Sequence, residues 1–227
     1  MKDPAVPTAG RALKRELRAR LEARDLDAIA DRAGTAHQVL GALIALTYDG
    51  DPTIAWRAVA ALGPAADRVG RDDPDLVRLY LRRLFWLITE ESGGICWFAP
   101  QAMAEVARTH ERLADFVPIT MNLLGEMAEE DLQHFRPGIL WAIGRLGPLA
   151  APHLDDVLAD VQAALEHPDA DVRGLAARAL GRTGRGDLVA DHPALLEDPA
   201  PVTIFLDGEL VHTTVARLAR GALEAVE

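Results

Sequence analysis

Asp51-Pro-Thr-Ile-Ala-Trp-Arg-Ala-Val-Ala-Ala-Leu-Gly63 and Asp169-Ala-Asp-Val-Arg-Gly-Leu-Ala-Ala-Arg-Ala-Leu-Gly181 superpose without a gap. Each begins with an aspartate, whose carboxylate can accept hydrogen bonds from the free amides at a helix start. Each ends in Ala-Leu-Gly, where a glycine is expected to take the left-handed conformation that closes a helix. Two variants lie between them. Ile95-Cys-Trp-Phe-Ala-Pro-Gln-Ala-Met-Ala-Glu105 sets Trp97 on Trp56. Arg136-Pro-Gly-Ile-Leu-Trp-Ala-Ile-Gly-Arg-Leu-Gly147 keeps the ending but displaces Trp141 by one position. An apolar helical segment precedes each copy, at residues 39–48, 76–89, 116–127 and 154–165.

A recurring pair of helices at intervals of roughly 30 to 45 residues is the signature of a repeat architecture. One pair cannot bury its apolar faces alone; stacked pairs form a continuous core and a curved solenoid with a concave inner surface. The expected fold is therefore all-α, an α-solenoid of about four helix pairs. The Asp…Ala-Leu-Gly helices resemble HEAT repeats, in particular the short type called PBS-lyase HEAT-like. The resemblance spans about residues 36–182 and is strongest in the first and fourth pairs. It implies that the second helices line the concave face, and it implies a scaffold more than any one chemistry.

Three regions are expected along the chain: 1–35, 36–185 and 186–227. In 1–35 a lead-in with Pro4, Pro7 and Gly10 precedes one basic amphipathic capping helix, with Leu13, Leu17 and Leu21 at four-residue spacing. The repeats fill 36–185. The remainder, 186–227, departs from the pattern. Val202-Thr-Ile-Phe-Leu206, Asp207-Gly208 and Glu209-Leu-Val-His-Thr213 read as a β-hairpin about an Asp-Gly turn. Thr213 or Thr214 then starts a final helix. The hairpin is expected to cover the apolar end of the stack.

Composition narrows the function. The chain has 227 residues, is 49% hydrophobic and only 5% aromatic, so its core must rest on aliphatic side chains. A net charge of −11 disfavours a nucleic-acid partner, because binding a polyphosphate needs a basic surface. The single cysteine leaves no internal disulfide or multi-cysteine metal site. An N-terminus without an apolar h-region and the lack of an 18-residue apolar run lead us to expect a cytoplasmic protein without a membrane partner.

The residues most open to a functional reading cluster in Ile88-Thr-Glu-Glu-Ser-Gly-Gly-Ile-Cys-Trp-Phe-Ala-Pro100. As a turn, it needs only its Gly pair, a polar cap and Pro100 in the next first turn. Glu90, Glu91 and Trp97 exceed that need. Trp56, Trp97 and Trp141 all begin second helices, so stacking should bring them together along one side, as an aromatic groove edged by Glu90 and Glu91. Other candidates are weaker. His110-Glu111 is a lone pair, whereas HEAT-like di-iron hydroxylases use several on successive repeats; Glu166-His167 reverses the order. His134, Glu126, Glu129 and Glu130 are further candidates, but no two of the seven histidines stand at i, i+4 spacing, so no metal and no cofactor is expected. Cys96 reads as a small core residue. HEAT-like alkylpurine DNA glycosylases use Trp, Asp and a basic concave face; Arg78, Arg82 and Arg83 form a basic row, but the net charge opposes that use.

The resulting expectation is a non-catalytic protein-binding or assembly scaffold acting through a concave face, with Glu90, Glu91, Trp97, Trp56 and Trp141 as the partner-binding residues. The alternative is a ligand- or cofactor-handling protein, such as a lyase or maturation factor, with its site near the 90–97 turn.

Overall fold

The computed structural model describes residues 9–88, 95–129 and 133–224. They form the expected helical solenoid with a two-stranded appendage. The outer row consists of α1 (Ala9–Glu22), α3 (Gln38–Leu46), α5 (Pro74–Trp86), α7 (Phe116–Glu129) and α9 (Leu158–Ala164). The inner row consists of α2 (Leu26–Thr35), α4 (Pro52–Gly70), α6 (Ala99–Ala107), α8 (Arg136–Leu146), α10 (Ala170–Arg182) and, beyond the short α11 (Asp187–Ala190), α12 (Val215–Glu224). Inner helices pack on one another in an unbroken series from α2 to α12, and each outer helix leans on its inner partner. No helix of the described residues is long and apolar enough to cross a membrane.

The two aligned aspartates cap their helices identically. The Asp51 carboxylate accepts from the Thr53 amide at 2.8 Å, and that of Asp169 from the Asp171 amide at 2.8 Å. Between the rows runs a single core of Leu, Ala, Val and Ile, including Leu43, Leu62, Leu84, Met103, Leu140 and Leu180. Each fully buried large side chain contributes about 1.5–3 kcal/mol, so the stack is held chiefly by this shared layer.

Three expectations change. Residues 9–35 hold two helices rather than one capping helix. The chain reverses at Arg24, which has a φ of 59°, and Asp25 caps α2 by accepting from the Ala28 amide at 3.1 Å. This adds a helix pair in front of the four read from the sequence.

Gly63 and Gly181 are not left-handed terminators. α4 continues through Gly63 and Pro64 to Gly70, and Gly181 lies inside α10. Both are needed for close approach. A Cβ on Gly181 would stand 2.5 Å from the Ala222 Cα of α12, and one on Gly63 would stand 3.1 Å from the Glu105 carbonyl oxygen of α6. Left-handed glycines do follow both later inner helices, at Gly147 after α8 and at Gly184 after α10.

The third change concerns the hairpin, β1 (Pro201–Leu206) and β2 (Glu209–Thr214). They pair antiparallel, with Val202 opposite Thr213 and Leu206 opposite Glu209. Asp207 and Gly208 both have positive φ, as the tight turn requires. The hairpin does not cover the end of the stack; α12 does, packing along α10, with Thr214 Oγ1 accepting from the Arg217 amide. Instead the strands start beside α10, where the Thr203 amide donates to Asp171, and run back over the inner row to α4 and the turn at Arg24. Burial pushes the Asp171 carboxyl above its usual range.

Candidate functional site

The hairpin arches over the inner row and encloses a chamber of about 570 Å³, within the about 300–1,000 Å³ typical of ligand pockets. Every inner helix from α2 to α10 borders it. The walls include Arg57, Ala60 and Pro64 of α4, Glu105 of α6 with Arg108 just beyond it, Trp141 and Arg145 of α8, and Arg178 and Arg182 of α10. The roof is Phe205 to Gly208, and Arg24 stands at the front.

An aromatic cluster holds the roof in place. The Trp56 ring stacks on Phe205 at 5.3 Å and 10°, tilts against Trp141 at 4.9 Å, and meets Phe98 edge-on at 5.1 Å. Trp141 Nε1 donates to the Phe205 carbonyl oxygen at 3.2 Å. A latch completes the attachment at the turn. Arg57 Nε donates to the Gly208 carbonyl at 2.9 Å, Nη2 meets Glu209 at 3.0 Å, and Nη1 donates to the Leu21 and Glu22 carbonyls. Arg24 pairs with the same Glu209. The two front arginines are thereby committed to tying β2 to α1 and α4.

The rear arginines differ. Glu105, buried to 2% exposure, bridges Arg145 Nε at 2.5 Å and Arg108 at 3.3 Å. Arg178 Nη1 is buried and has no hydrogen-bond partner among the described residues. Its guanidinium lies over Gly144 of α8, where a Cβ would stand 2.6 Å from Nη1. Burial lowers its pKa to about 10, and the like charges of Arg182 and Arg145 push the same way. Among the described residues, no carboxylate lies within ion-pair distance of Arg178 or Arg182. Six arginines line the chamber against two carboxylates, Glu105 and Asp207, in a chain whose net charge is −11.

The sequence-predicted residues divide. Trp56 and Trp141 do meet, but as packed supports of the roof, and Trp141 is only 3% exposed. Trp97 does not join them, because the alignment that set it on Trp56 is one residue out of step with the packing. Phe98 takes the place beside Trp56, and Trp97 stacks on Phe135 at 5.6 Å and meets His134 edge-on at 4.6 Å, with 54% of its surface exposed. Glu90, Glu91, Glu130 and the Ser92 cap lie outside the described residues. Cys96 is buried, its Sγ 3.5 Å from Thr47 Oγ1.

His110 Nδ1 accepts from the Arg112 amide and so caps a single turn, and Glu166 faces His192 at 3.6 Å. The basic row falls on outer helix α5, away from the concave face, and Arg78 is engaged by Asp115 at 2.5 and 2.8 Å. The chamber arginines were missed, although a signal existed. Arg108, Arg145 and Arg182 stand at or just after the ends of successive inner helices, where a cation is favoured by the helix dipole.

Comparison with known proteins agrees with this architecture. Residues 133–183, from the turn before α8 through α10, match the HEAT-like repeat family. An uncharacterised protein of Archaeoglobus fulgidus is 25% identical over 178 residues, covering 78% of this chain and 91% of that protein. Among solved structures, an engineered protein is similar at a TM-score of 0.53 and 23% identity, covering 97% of this chain and 99% of its own. A computationally designed armadillo repeat protein for modular peptide recognition is similar at 0.50 and 17% identity, with 94% of each chain covered. These likenesses concern the fold.

Proposed function

We propose that the chain, a helical solenoid whose residues 133–183 match the HEAT-like repeat family, is a non-catalytic binding module whose concave chamber receives a short acidic segment of a partner protein. The observation that carries this reading is the excess of arginine in the chamber of an otherwise acidic chain. Guanidinium groups recognise carboxylates and phosphates through paired N–H donors, and arginine clusters are a recurrent means of reading acidic motifs. The chamber is too small for a nucleic-acid duplex and fits an extended strand of peptide. The similar solved structure designed for peptide recognition supports a peptide-sized occupant. Trp56 and Trp141 act by holding the roof; Arg108, Arg145, Arg178 and Arg182 make the contact. Trp97, Glu90 and Glu91 are not needed for this anchor.

Fluorescence anisotropy with labelled hexaglutamate, hexalysine and a single-stranded oligothymidylate tests the reading. Hexaglutamate should bind, weaken with added salt, and lose at least tenfold in affinity when Arg108 and Arg182 are both changed to Glu. Preferential binding of hexalysine would refute the acidic segment. Preferential binding of the oligothymidylate, lost in the same variant, would replace the peptide by a single-stranded nucleic acid.

A further inference from the structure

We propose that the rear corner of the chamber, where Arg145, Arg178 and Arg182 converge, is a seat for a phosphoryl group. This rests on the reading that the chamber takes an anionic segment, and it names the group that would anchor that segment.

Three observations carry it. First, Arg178 Nη1 is buried without a hydrogen-bond partner among the described residues. Buried donors are nearly always satisfied in folded proteins, so an orphaned one on a side chain that lines the chamber points to a missing acceptor. Second, the position is built. The guanidinium rests on the bare backbone of Gly144, and any side chain there would displace it. Third, the charge is unmatched. Arg108, Arg145, Arg178 and Arg182 share the rear wall with a single carboxylate, Glu105, which already bridges Arg145 and Arg108.

The ligand follows from this count. One carboxylate brings a single charge and two acceptor oxygens. A phosphate monoester brings about −1.5 to −2 charges at neutral pH and three acceptor oxygens, enough to engage Arg178 and Arg182 while Arg145 keeps Glu105. The same chemistry is offered by a phosphorylated side chain on the segment or by a small phosphorylated molecule.

Isothermal titration of the full chain with inorganic phosphate and with acetate tests the seat. Phosphate should bind with a Kd of about 1 mM or tighter, and acetate at least tenfold more weakly. Arg178→Met and Arg182→Gln should each weaken phosphate by roughly ten- to a hundredfold, and Arg178→Lys, which keeps the charge but not the fork, by less than Arg178→Met. Arg217→Met, on the exposed face of α12, should change nothing. Equal affinity for phosphate and acetate, or phosphate binding unaltered in both Arg178→Met and Arg182→Gln, would overturn the seat. If hexaglutamate binds but phosphate shows no preference, the seat is wrong and the acidic-segment reading stands. If phosphate binds but hexaglutamate does not, the acidic-segment reading is wrong and the seat stands. An acidic peptide carrying one phosphoserine, compared with its serine form and with free phosphoserine, separates the sources: a tighter phosphopeptide assigns the group to a protein partner, equal affinity to a small molecule.

Discussion

Arg178→Met should make the protein more stable, because the native arginine is buried and no carboxylate among the described residues pairs with it. The magnitude follows from its proton affinity. At about 1.4 kcal/mol per pKa unit, the lowering of the Arg178 pKa from the ordinary arginine value to about 10 corresponds to about 3 kcal/mol of destabilisation carried by the charged form. The sign is set by linkage. Folded and unfolded arginine are both protonated at neutral pH, so the whole penalty is present there. It would fade only as pH rises above about 10 toward the ordinary arginine value, where the unfolded state holds more protons. Methionine keeps most of the apolar stem that packs between α8 and α10 and removes the charge. We expect a gain of about 1–3 kcal/mol, which at about 2–4 °C per kcal/mol for a chain of this size raises Tm by several degrees. Differential scanning calorimetry in a buffer free of phosphate and sulfate reads this directly. Added phosphate should then stabilise the native protein and leave the variant unmoved. A variant melting at or below the native Tm in the anion-free buffer would refute the reasoning, since it would mean that Arg178 already has a stabilising partner.

The packing and the latch give further tests. Gly181→Ala drives a methyl to 2.5 Å from the Ala222 Cα, so α12 must shift; urea denaturation should show a loss of about 1–3 kcal/mol. Gly184→Ala meets nothing within 4 Å but is held at a φ of 81°, so its loss should be nearer 1 kcal/mol, through backbone strain alone. Arg57→Met removes the bonds to Gly208, Glu209, Leu21 and Glu22, and hydrogen exchange of the hairpin amides should quicken by roughly tenfold or more. Glu105→Gln leaves Arg145 and Arg108 without their carboxylate; stability should fall by about 1–3 kcal/mol by thermal melting, while titrated phosphate binds more tightly.

Local rules explain why much of the fold was readable. The caps at Asp51 and Asp169 and the Asp207-Gly208 turn involve residues a few positions apart, so composition alone announces them. The glycines show the limit of such rules. Gly63 and Gly181 looked like terminators because a glycine demanded by a neighbouring helix and one demanded by its own backbone are written with the same letter. The difference lies in Ala222 and Glu105, some 40 residues away along the chain. The break at Arg24 was hidden because a non-glycine residue adopts the left-handed conformation there, although Asp25 was an available cap signal. The candidate site was read least well. A one-residue slip in the second repeat exchanged Phe98 for Trp97, and tryptophans were favoured as contacts where the packing uses Trp56 and Trp141 as supports. The arginines were passed over because their meaning is collective: each alone is an ordinary helix-end cation, and only the curvature of the inner row turns them toward one space.

That space is also polarised along its length. At the front, Arg24 and Arg57 are consumed by Glu209 and by carbonyl groups, so their charge is spent on fixing the hairpin. At the rear, Arg178 and Arg182 keep theirs. The latch and the anion site are therefore two uses of the same residue type, separated by where the hairpin turn lands. The acidic exterior complements this arrangement. At physiological salt, exposed charges are screened beyond about 8 Å, so the net charge of −11 weighs most on a long anionic polymer lying across the surface and least on a single anionic group seated inside the chamber. Such a molecule should reject nucleic acid while accepting a short segment whose charge is concentrated at one point, and the contrast between hexaglutamate and oligothymidylate measures that discrimination.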